Sequence, residues 1–446
     1  MSAESRWRRS FLALAVFNLL VGNVRGSPDL IVHEWGTFTC LQDESGKAIG
    51  GINSDDEPVP QFVHNFAPGL ILPPLEIASG ASKSVPRCHP DVTMRLETPI
   101  VYFYPGKDFN ARLNVTVNCQ AGWLTQFYPD AKVFAIGVKG DWIGRLQPYG
   151  FGRLEWDNVS LGNSNEGPAT SWPVWTTPRH VNCATVEVKG EHEKFLFYRG
   201  VANLAAPLRV VRSGPELTIS KSARDNATQT ARDIRELWLL DVRTDGTAAF
   251  RPVRPFEQAP AFVAKTRAEF AAEEYTREAK GELKKALHEA LMKAGLFDDE
   301  AAALLDTWQI SYFNSPGLRL FFLVPEKWTN ETLPLRVRGA ASERAEVNPV
   351  TTRVMVGRIE IVTPEQRGLL AKLSDAFVTA SLDDRGQTPE TRQAAIERLN
   401  QTYLQLGRFR NALVLDELKR RPGPGLEAFI KRFGLQAYAP PPESFR

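Results

Sequence analysis

The chain has 446 residues, of which 43% are hydrophobic and 24% are charged. This length allows two or three packed units, and these ordinary proportions exclude collagen-like, coiled-coil and wholly disordered proteins. Lys and Arg number 54 against 52 Asp and Glu, and this near balance (formal charge +2) argues against a nucleic-acid partner.

Residues 1–26 are predicted to be a signal peptide. A basic start that includes Arg8 and Arg9 precedes the apolar stretch 11–22, and Gly26 fits the small-residue cleavage rule. That stretch is too short to span a bilayer, and nothing later is long and apolar enough to do so. We therefore expect export to the periplasm, cell envelope or extracellular space. The arginine pair resembles a twin-arginine signal, but ordinary signals also contain such pairs, so the export route stays open.

Residues 27–362 are predicted to form a β-rich domain. Along one segment, Leu113, Val115 and Val117 alternate with polar residues, which is the period of a strand with one buried face. Similar short runs, separated by turns with Pro and Gly, lie at 30–40, 93–104, 132–138, 184–188, 194–200, 207–213, 236–242, 318–324, 333–339 and 353–362. Many short strands of this kind indicate antiparallel sheets packed as a sandwich or an open barrel.

A helical insertion is predicted at about 260–308. The stretch is rich in Ala, Glu and Lys, and Leu283, Leu287 and Leu291 recur at helical spacing. Gly295 would end the first helix, and a second would follow, so the segment is a helical hairpin within the β-rich domain. An independent helical domain is the alternative.

A helical C-terminal region is predicted at 363–438, followed by a tail at 439–446. Thr363 and Thr388 each precede a proline, and this pair of residues suits an N-cap and the first helical position. The predicted fold class is therefore α+β, with an antiparallel β-rich body, an inserted helical hairpin and a helical C-terminal region.

The mature chain contains four cysteines, and none forms a Cys-x-x-Cys pair, which argues against a zinc knuckle or a thioredoxin-type centre. An exported protein can carry disulfides, but buried free thiols are an equal alternative. The sequence does not determine the pairing of Cys40, Cys88, Cys119 and Cys183.

The segment His33-Glu34-Trp35-Gly36-Thr37-Phe38-Thr39 resembles a signature in a family of uncharacterised exported bacterial proteins. The resemblance extends over nearly the whole mature chain. It implies export and a single integrated architecture, and it implies no reaction, ligand or catalytic residue. Further matching stretches lie at 51–64, 95–104, 194–204, 311–337 and 353–365.

The common zinc, nucleophile-elbow and phosphate-loop motifs are all missing from the sequence. The best remaining candidate site is a group of His, Asp, Glu and Arg residues near the mature N-terminus. On a strand at 30–40, His33 would share one face with Trp35. The acidic run that contains Asp55 must be solvated or neutralised by a cation or a basic partner, and His64 follows closely. We therefore hypothesise that His33, Asp55 and His64 bind a divalent metal, the candidate cofactor. A solvated turn and an interior histidine are the structural alternatives.

Three further residues would carry the chemistry of that site. Glu57 or Glu97 would act as general base on a metal-activated water, and Arg95, on the same strand face as Glu97, would orient it or the substrate. A structural ion pair between Arg95 and Glu97 is the alternative interpretation.

An aromatic-rich segment is the second candidate surface, since flat rings stack on sugars and an exported protein meets glycans. Burial of the rings in the β core is the alternative. The residues are Trp123, Tyr128, Trp142, Tyr149, Trp156, Trp172 and Trp175.

The leading functional interpretation is an exported soluble protein with an extracytoplasmic binding or structural role, and a glycan or envelope component as its partner. The alternative is a metal-dependent hydrolase that uses the His, Asp and Glu residues near the mature N-terminus.

Overall fold

The computed structural model describes most of the chain from residue 29 onward. The predicted signal peptide, the tail at 439–446 and Asp56 lie outside the described residues. The described ranges are 29–55, 57–71, 88–139, 142–162, 167–222, 234–255, 263–340, 347–382, 388–433 and 435.

Twenty strands lie within these ranges. They are β1 (Leu30–Gln42), β2 (His64–Asn65), β3 (Met94–Pro105), β4 (Leu113–Gln120), β5 (Gly122–Tyr128), β6 (Lys132–Ala135), β7 (Val138–Lys139), β8 (Trp142–Ile143), β9 (Phe151–Gly162), β10 (Thr185–Val188), β11 (Glu191–Glu193), β12 (Leu196–Ala202), β13 (Leu208–Ser213), β14 (Glu216–Lys221), β15 (Leu237–Val242), β16 (Ala248–Val253), β17 (Val263–Arg267), β18 (Gly317–Val324), β19 (Leu335–Gly339) and β20 (Val350–Ile361).

Eight α-helices accompany the strands in the described part of the chain, and a π-helical turn lies at Ile310–Asn314. The structure thus confirms the predicted α+β class with several antiparallel sheets and helices at the C-terminal end. The helices are α1 (Pro173–Thr176), α2 (Ala279–Lys293), α3 (Asp298–Thr307), α4 (Glu326–Thr332), α5 (Pro364–Leu382), α6 (Pro389–Leu404), α7 (Arg410–Arg420) and α8 (Pro424–Phe433).

The main sheet has nine strands in the order β16-β15-β18-β20-β1-β3-β12-β5-β2. Its neighbours are antiparallel except for β1 and β20, which run parallel over twelve residue pairs. Smaller sheets are the six-stranded sheet (β11-β10-β9-β4-β19, with β6 against β9), the three-stranded sheet (β13-β14-β17) and the hairpin of β7 and β8. The sequence order gives no hint that β20 lies beside β1, and this pairing places residues from the two ends of the body together.

One hydrophobic core fills the space between the main sheet and the smaller sheets. Val32 and Phe38 of β1 belong to it together with Val115 of β4 and Trp156 of β9. The predicted alternation in β4 is confirmed, because its apolar residues are buried and the polar residues between them are more exposed. This packing of sheet on sheet matches the sandwich form of the prediction.

The opposite face of the main sheet is covered by helices and carries two further apolar clusters. The first joins Trp35 and Phe321 to the side chains of α2 and α3. The second joins Leu41 and Val362 to the C-terminal helices. Since both faces of β1 are covered, nearly every residue of this strand is buried.

The inserted helical hairpin is shorter than predicted. Helices α2 and α3 cover 279–307, with Leu283, Leu287 and Leu291 buried as their spacing predicts. The prediction of helix from about 260 was wrong for Val263–Arg267, which is strand β17 and pairs with β14. Alternating burial against a neighbouring strand determines the conformation there, despite the Ala-rich composition.

The C-terminal helices begin where the Thr-Pro pairs predict. Helix α5 starts at Pro364, and Thr363 caps it: the Gln366 backbone N–H donates to Thr363 Oγ1 at 3.2 Å, and the Gln366 side chain accepts from the Thr363 N–H at 3.0 Å. Helix α6 starts at Pro389. Within the described residues, no helix is both long and apolar enough to cross a membrane.

The four cysteines are free thiols, and three of them are buried. The structure thus agrees with the free-thiol alternative. Burial raises the pKa of all four thiols to about 12, so they stay protonated and unreactive at neutral pH.

Candidate functional site

A layer of buried charged side chains crosses the helix-covered face of the main sheet, between its two apolar clusters. The register explains its position: Arg358 of β20 and Arg95 of β3 are the neighbours of Thr39 on either side of β1. Arg319 of β18 lies opposite Glu360 of β20. We call this set the arginine layer. Within the described residues it comprises Arg95, Arg199, Arg319, Arg358 and Arg408 with Asp55, Glu57, Glu97 and Glu360, all of them buried.

Glu97 is the shared counter-charge at the centre of the layer. Thr39 Oγ1 donates to it at 2.9 Å, and both terminal nitrogens of Arg408 donate to its two oxygens. Arg95 Nε lies 4.0 Å away. Burial alone would raise the pKa of Glu97, but the nearby charges of Arg408, Arg95 and Arg358 lower it to about 2. Glu97 is therefore a carboxylate at neutral pH and a weak base.

Asp55 pairs with two arginines on the side of β12. Arg199 Nη1 donates to Asp55 Oδ2 at 2.5 Å, and Arg95 Nη2 lies 3.7 Å from Asp55 Oδ1. Arg199 Nη2 also donates to Thr98 Oγ1 at 2.9 Å. Thr98 has a φ of 44°, in the left-handed region, which is energetically unfavourable for a β-branched residue. Backbone strain of this kind clusters at functional sites.

The π-helical turn covers the layer from the side of α3. The backbone N–H of Ser311 donates to Glu57 Oε1 at 3.0 Å, and Tyr312 hydroxyl bonds Thr37. Arg319 Nη1 donates to the carbonyl oxygens of Ser311 and Tyr312, at 2.8 and 2.9 Å. π-helical turns are rare in proteins, but those that occur often lie at functional sites. The π-helical turn over the arginine layer is therefore a second sign of function.

Glu360 neutralises the remaining two arginines. Arg358 Nε donates to Glu360 Oε1 at 2.7 Å, and Arg319 Nε lies 3.3 Å from the same oxygen. Burial lowers the pKa of Arg319 to about 10, which still leaves the group charged at neutral pH.

Several buried donors of the layer remain unused. Within the described ranges, Arg95 Nε and Nη2, Arg199 Nε and Arg358 Nη1 have no hydrogen-bond partner. Each buried unpaired donor costs about 1–3 kcal/mol, so such a group is expensive without a compensating ligand or role. The described layer also contains five arginines against four carboxylates. Its chemistry, with surplus donors and surplus positive charge, is suited to an anion and unsuited to a metal cation.

The structure brings four of the six predicted site residues together and separates the other two. Asp55, Glu57, Arg95 and Glu97 are in the arginine layer. His33 Nδ1 instead lies 2.8 Å from Glu300 Oε2, beneath α3.

His64 Nε2 lies 2.9 Å from Glu191 Oε1, at the edge of the main sheet. In the described part of the chain, no three His, Cys, Asp or Glu side chains are grouped as a metal site requires. The predicted ligands His33, Asp55 and His64 therefore do not form one cluster, since each has a different partner.

Sequence reasoning missed most of the arginines. Arg199, Arg319, Arg358 and Arg408 were not proposed, although a usable signal exists for three of them. A charged residue within an otherwise apolar strand, such as Arg319 in LRLFFLV, is either on a wet face or in a buried network. Arg408, between α6 and α7, gives no such signal.

The aromatic segment divides into buried and exposed rings. Trp123, Trp156 and Trp175 are fully buried, and Tyr128 is also buried, as the core alternative predicts. Trp172 and Trp175 do not share a surface, because Trp175 packs inward and Trp172 is exposed. The exposed members of the segment are Trp142, Tyr149 and Trp172.

No protein-family model and no curated protein sequence matches this chain. Among solved structures, it is similar to the Fcho1 mu homology domain of Danio rerio with bound Eps15 peptide, at 7% identity over 76% of this chain and 96% of that chain, with a TM-score of 0.25. It is also similar to the yeast delta-COP-I mu-homology domain complexed with a Dsl1 WxWxV peptide (8%, 75% and 96%, TM-score 0.22) and alone (7%, 76% and 98%, TM-score 0.23). Similarity this weak carries no argument about fold or function.

Proposed function

We propose that this protein is an exported binding protein that holds a small oxyanion, such as a phosphate, sulfate or compact polycarboxylate, in the arginine layer. The observation that carries the proposal is the set of buried arginine N–H groups without a partner among the described residues. Charge-assisted hydrogen bonds from guanidinium groups are the strongest recognition of such anions. Among the described residues of the layer, the excess of one arginine over the carboxylates adds to this attraction.

Binding is favoured over hydrolysis by the state of the carboxylates. Glu97, with a pKa of about 2, is a poor general base at neutral pH. Asp55 is held by Arg199 at 2.5 Å, and Glu57 accepts the Ser311 N–H. The metal-dependent hydrolase stays the alternative hypothesis, and it would require His33 and His64 to leave their separate glutamate partners and converge.

The ligand would have to be small, because Arg95, Arg199 and Arg319 are fully buried. Entry would require residues 53–55, which contact Arg95 and Arg199, or the π-helical turn to move aside. We therefore expect slow exchange and a ligand that is retained by the folded protein.

The anion proposal predicts that phosphate or sulfate raises the midpoint of thermal unfolding more than chloride at equal ionic strength. A ligand that binds only the folded state at a hundredfold excess over its Kd stabilises it by about 2.7 kcal/mol. In Arg95→Met this extra shift should disappear. The variant should still fold, because Asp55 retains its ion pair with Arg199 and Glu97 retains its ion pair with Arg408. Within the described residues, Arg95 donates only one hydrogen bond, to the Ser54 carbonyl at 2.8 Å.

The matched control is Arg338→Met, which removes the same charge from an exposed position on β19. It should keep the full response to phosphate and sulfate. The proposal is wrong if wild-type protein responds to these anions no more than to chloride, or if Arg95→Met responds as wild type does.

Export is tested separately on protein isolated from its native host. Mass spectrometry of the mature N-terminus should find Ser27 as the first residue, in a fraction outside the cytosol, because residues 1–26 carry the signal-peptide pattern. Recovery of cytosolic protein that still begins at Met1 would contradict export. It would not contradict anion binding, which the unfolding experiment tests separately.

A further inference from the structure

Arg95 lies between two carboxylates that two of its nitrogens do not reach. Its Nη2 is 3.7 Å from Asp55 Oδ1, and its Nε is 4.0 Å from Glu97 Oε1. These distances are too long for hydrogen bonds, and neither nitrogen has a partner within the described residues. Arg95 and Glu97 are fully buried and Asp55 is 4% exposed, so bulk water does not satisfy these groups. Each gap therefore sets a buried donor opposite a buried carboxylate.

Asp55 has more acceptor capacity to spare than Glu97. Glu97 accepts from both terminal nitrogens of Arg408, one to each carboxylate oxygen. The Asp55 carboxylate is held at Oδ2 by Arg199, whereas Oδ1 accepts only the backbone N–H of Glu57, at 3.3 Å, within the described residues. A carboxylate oxygen can accept two hydrogen bonds, so Asp55 Oδ1 is a fixed acceptor with room for one more donor.

One hydroxyl group can bridge the gap between Arg95 Nη2 and Asp55 Oδ1. Its oxygen accepts from Nη2 and its proton is donated to Oδ1, and two hydrogen bonds of about 2.8 Å span a separation of 3.7 Å. An oxygen without a proton would instead face the lone pairs of the carboxylate, which leaves Oδ1 unsatisfied and adds repulsion between like charges. Water can make the same bridge, but only an anion also offsets the excess of one arginine over the carboxylates among the described residues of the layer.

We propose that Asp55 makes the arginine layer selective for a tetrahedral oxyanion that keeps a proton at neutral pH, such as hydrogen phosphate, over a fully ionised one, such as sulfate. This selectivity rests on the proposed anion function and narrows its ligand class. Phosphate and sulfate have nearly the same size and shape, so the proton and the charge are what the site can distinguish. A site that hydrogen-bonds a ligand hydroxyl rejects the analogue that lacks it, because buried groups are then left unpaired.

Equilibrium dialysis of the purified protein against radiolabelled phosphate and radiolabelled sulfate measures this selectivity, with dialysis long enough for slow exchange. Wild-type protein should bind phosphate at least about tenfold more tightly than sulfate at neutral pH. Arsenate should compete with the labelled phosphate and selenate should not, because arsenate keeps a proton and selenate is fully ionised. The second pair has larger central atoms, so agreement between the two pairs separates the effect of the proton from that of size, and it needs no variant.

In Asp55→Asn the preference for phosphate over sulfate should fall at least about tenfold, because the amide removes the charge that repels sulfate and can itself donate a hydrogen bond. The variant should fold, since Arg199 keeps its hydrogen bonds to Thr98 Oγ1 and to the Glu57 carbonyl, at 2.9 and 3.2 Å. The control Asp108→Asn makes the same change at an exposed position and should keep the wild-type preference.

The outcomes distinguish the selectivity of the layer from anion binding itself. If wild-type protein binds neither anion, anion binding is wrong and the selectivity is wrong with it. If wild-type protein binds phosphate and sulfate equally, if selenate competes as well as arsenate, or if folded Asp55→Asn keeps the wild-type preference, anion binding stands and the proposed role of Asp55 is wrong.

Discussion

Replacement of Glu97 by glutamine is expected to lower the free energy of unfolding by about 3 kcal/mol at neutral pH. Glutamine resembles the protonated carboxyl group in shape but removes the counter-charge that Arg95, Arg358 and Arg408 share. Removal of one partner from a buried ion pair is costly because the remaining charge stays buried without compensation.

The pH dependence of this loss has a defined sign. The pKa of Glu97 falls from an ordinary 4.5 to about 2 in the folded protein. A lowered carboxyl pKa contributes stability that is present above the unfolded value and is lost as the pH falls through the folded one. The difference between wild type and Glu97→Gln should therefore be full above pH 4.5 and should vanish as the pH falls to about 2.

Urea unfolding at a series of pH values measures this difference. The matched control is Glu289→Gln, at an exposed position on α2, which should change the stability by less than about 0.5 kcal/mol at every pH. Equal stabilities of the two variants, or a Glu97→Gln deficit that does not shrink in acid, would show that Glu97 is not the counter-charge of the layer.

Local patterns predicted the conformation of individual strands well. The period of two in β4 identified its buried face, because one side of this strand meets the core and the other is more exposed. The same reasoning placed Arg95 and Glu97 on one face of β3, where Nε and Oε1 lie 4.0 Å apart. It failed at β17, where pairing with β14 determines a strand that the composition does not reveal.

The arginine layer could not be assembled from the sequence because its register depends on distant strand pairing. Thr39 lies opposite Arg358, more than three hundred positions away, through the parallel contact of β1 with β20. The spacing predicted a second helix in the insertion, but it gave no sign that this helix, α3, packs against β1 and places Glu300 beside His33. Short-range spacing identifies residues that share a face of one strand, but it does not identify which strand or helix faces them.

Arg408 links the C-terminal helical region to the main sheet. It lies between α6 and α7, is buried, and donates from both terminal nitrogens to Glu97 of β3. Arg408→Met alone should lower the free energy of unfolding by about 2 kcal/mol, since Glu97 keeps the Thr39 hydrogen bond and the nearby charge of Arg95.

The double variant Arg408→Met with Glu97→Gln should cost less than the sum of the two single changes, by about 1–3 kcal/mol. Once the carboxylate is gone, the guanidinium is a buried charge without its partner, and its replacement by an apolar side chain of similar length removes that penalty. Urea unfolding of the four proteins gives the coupling energy. A parallel cycle of Arg338→Met with Glu97→Gln should be additive within about 0.5 kcal/mol, because Arg338 is exposed on β19. Additivity in the Arg408 cycle as well would mean that this ion pair does not hold the C-terminal helices to the sheet.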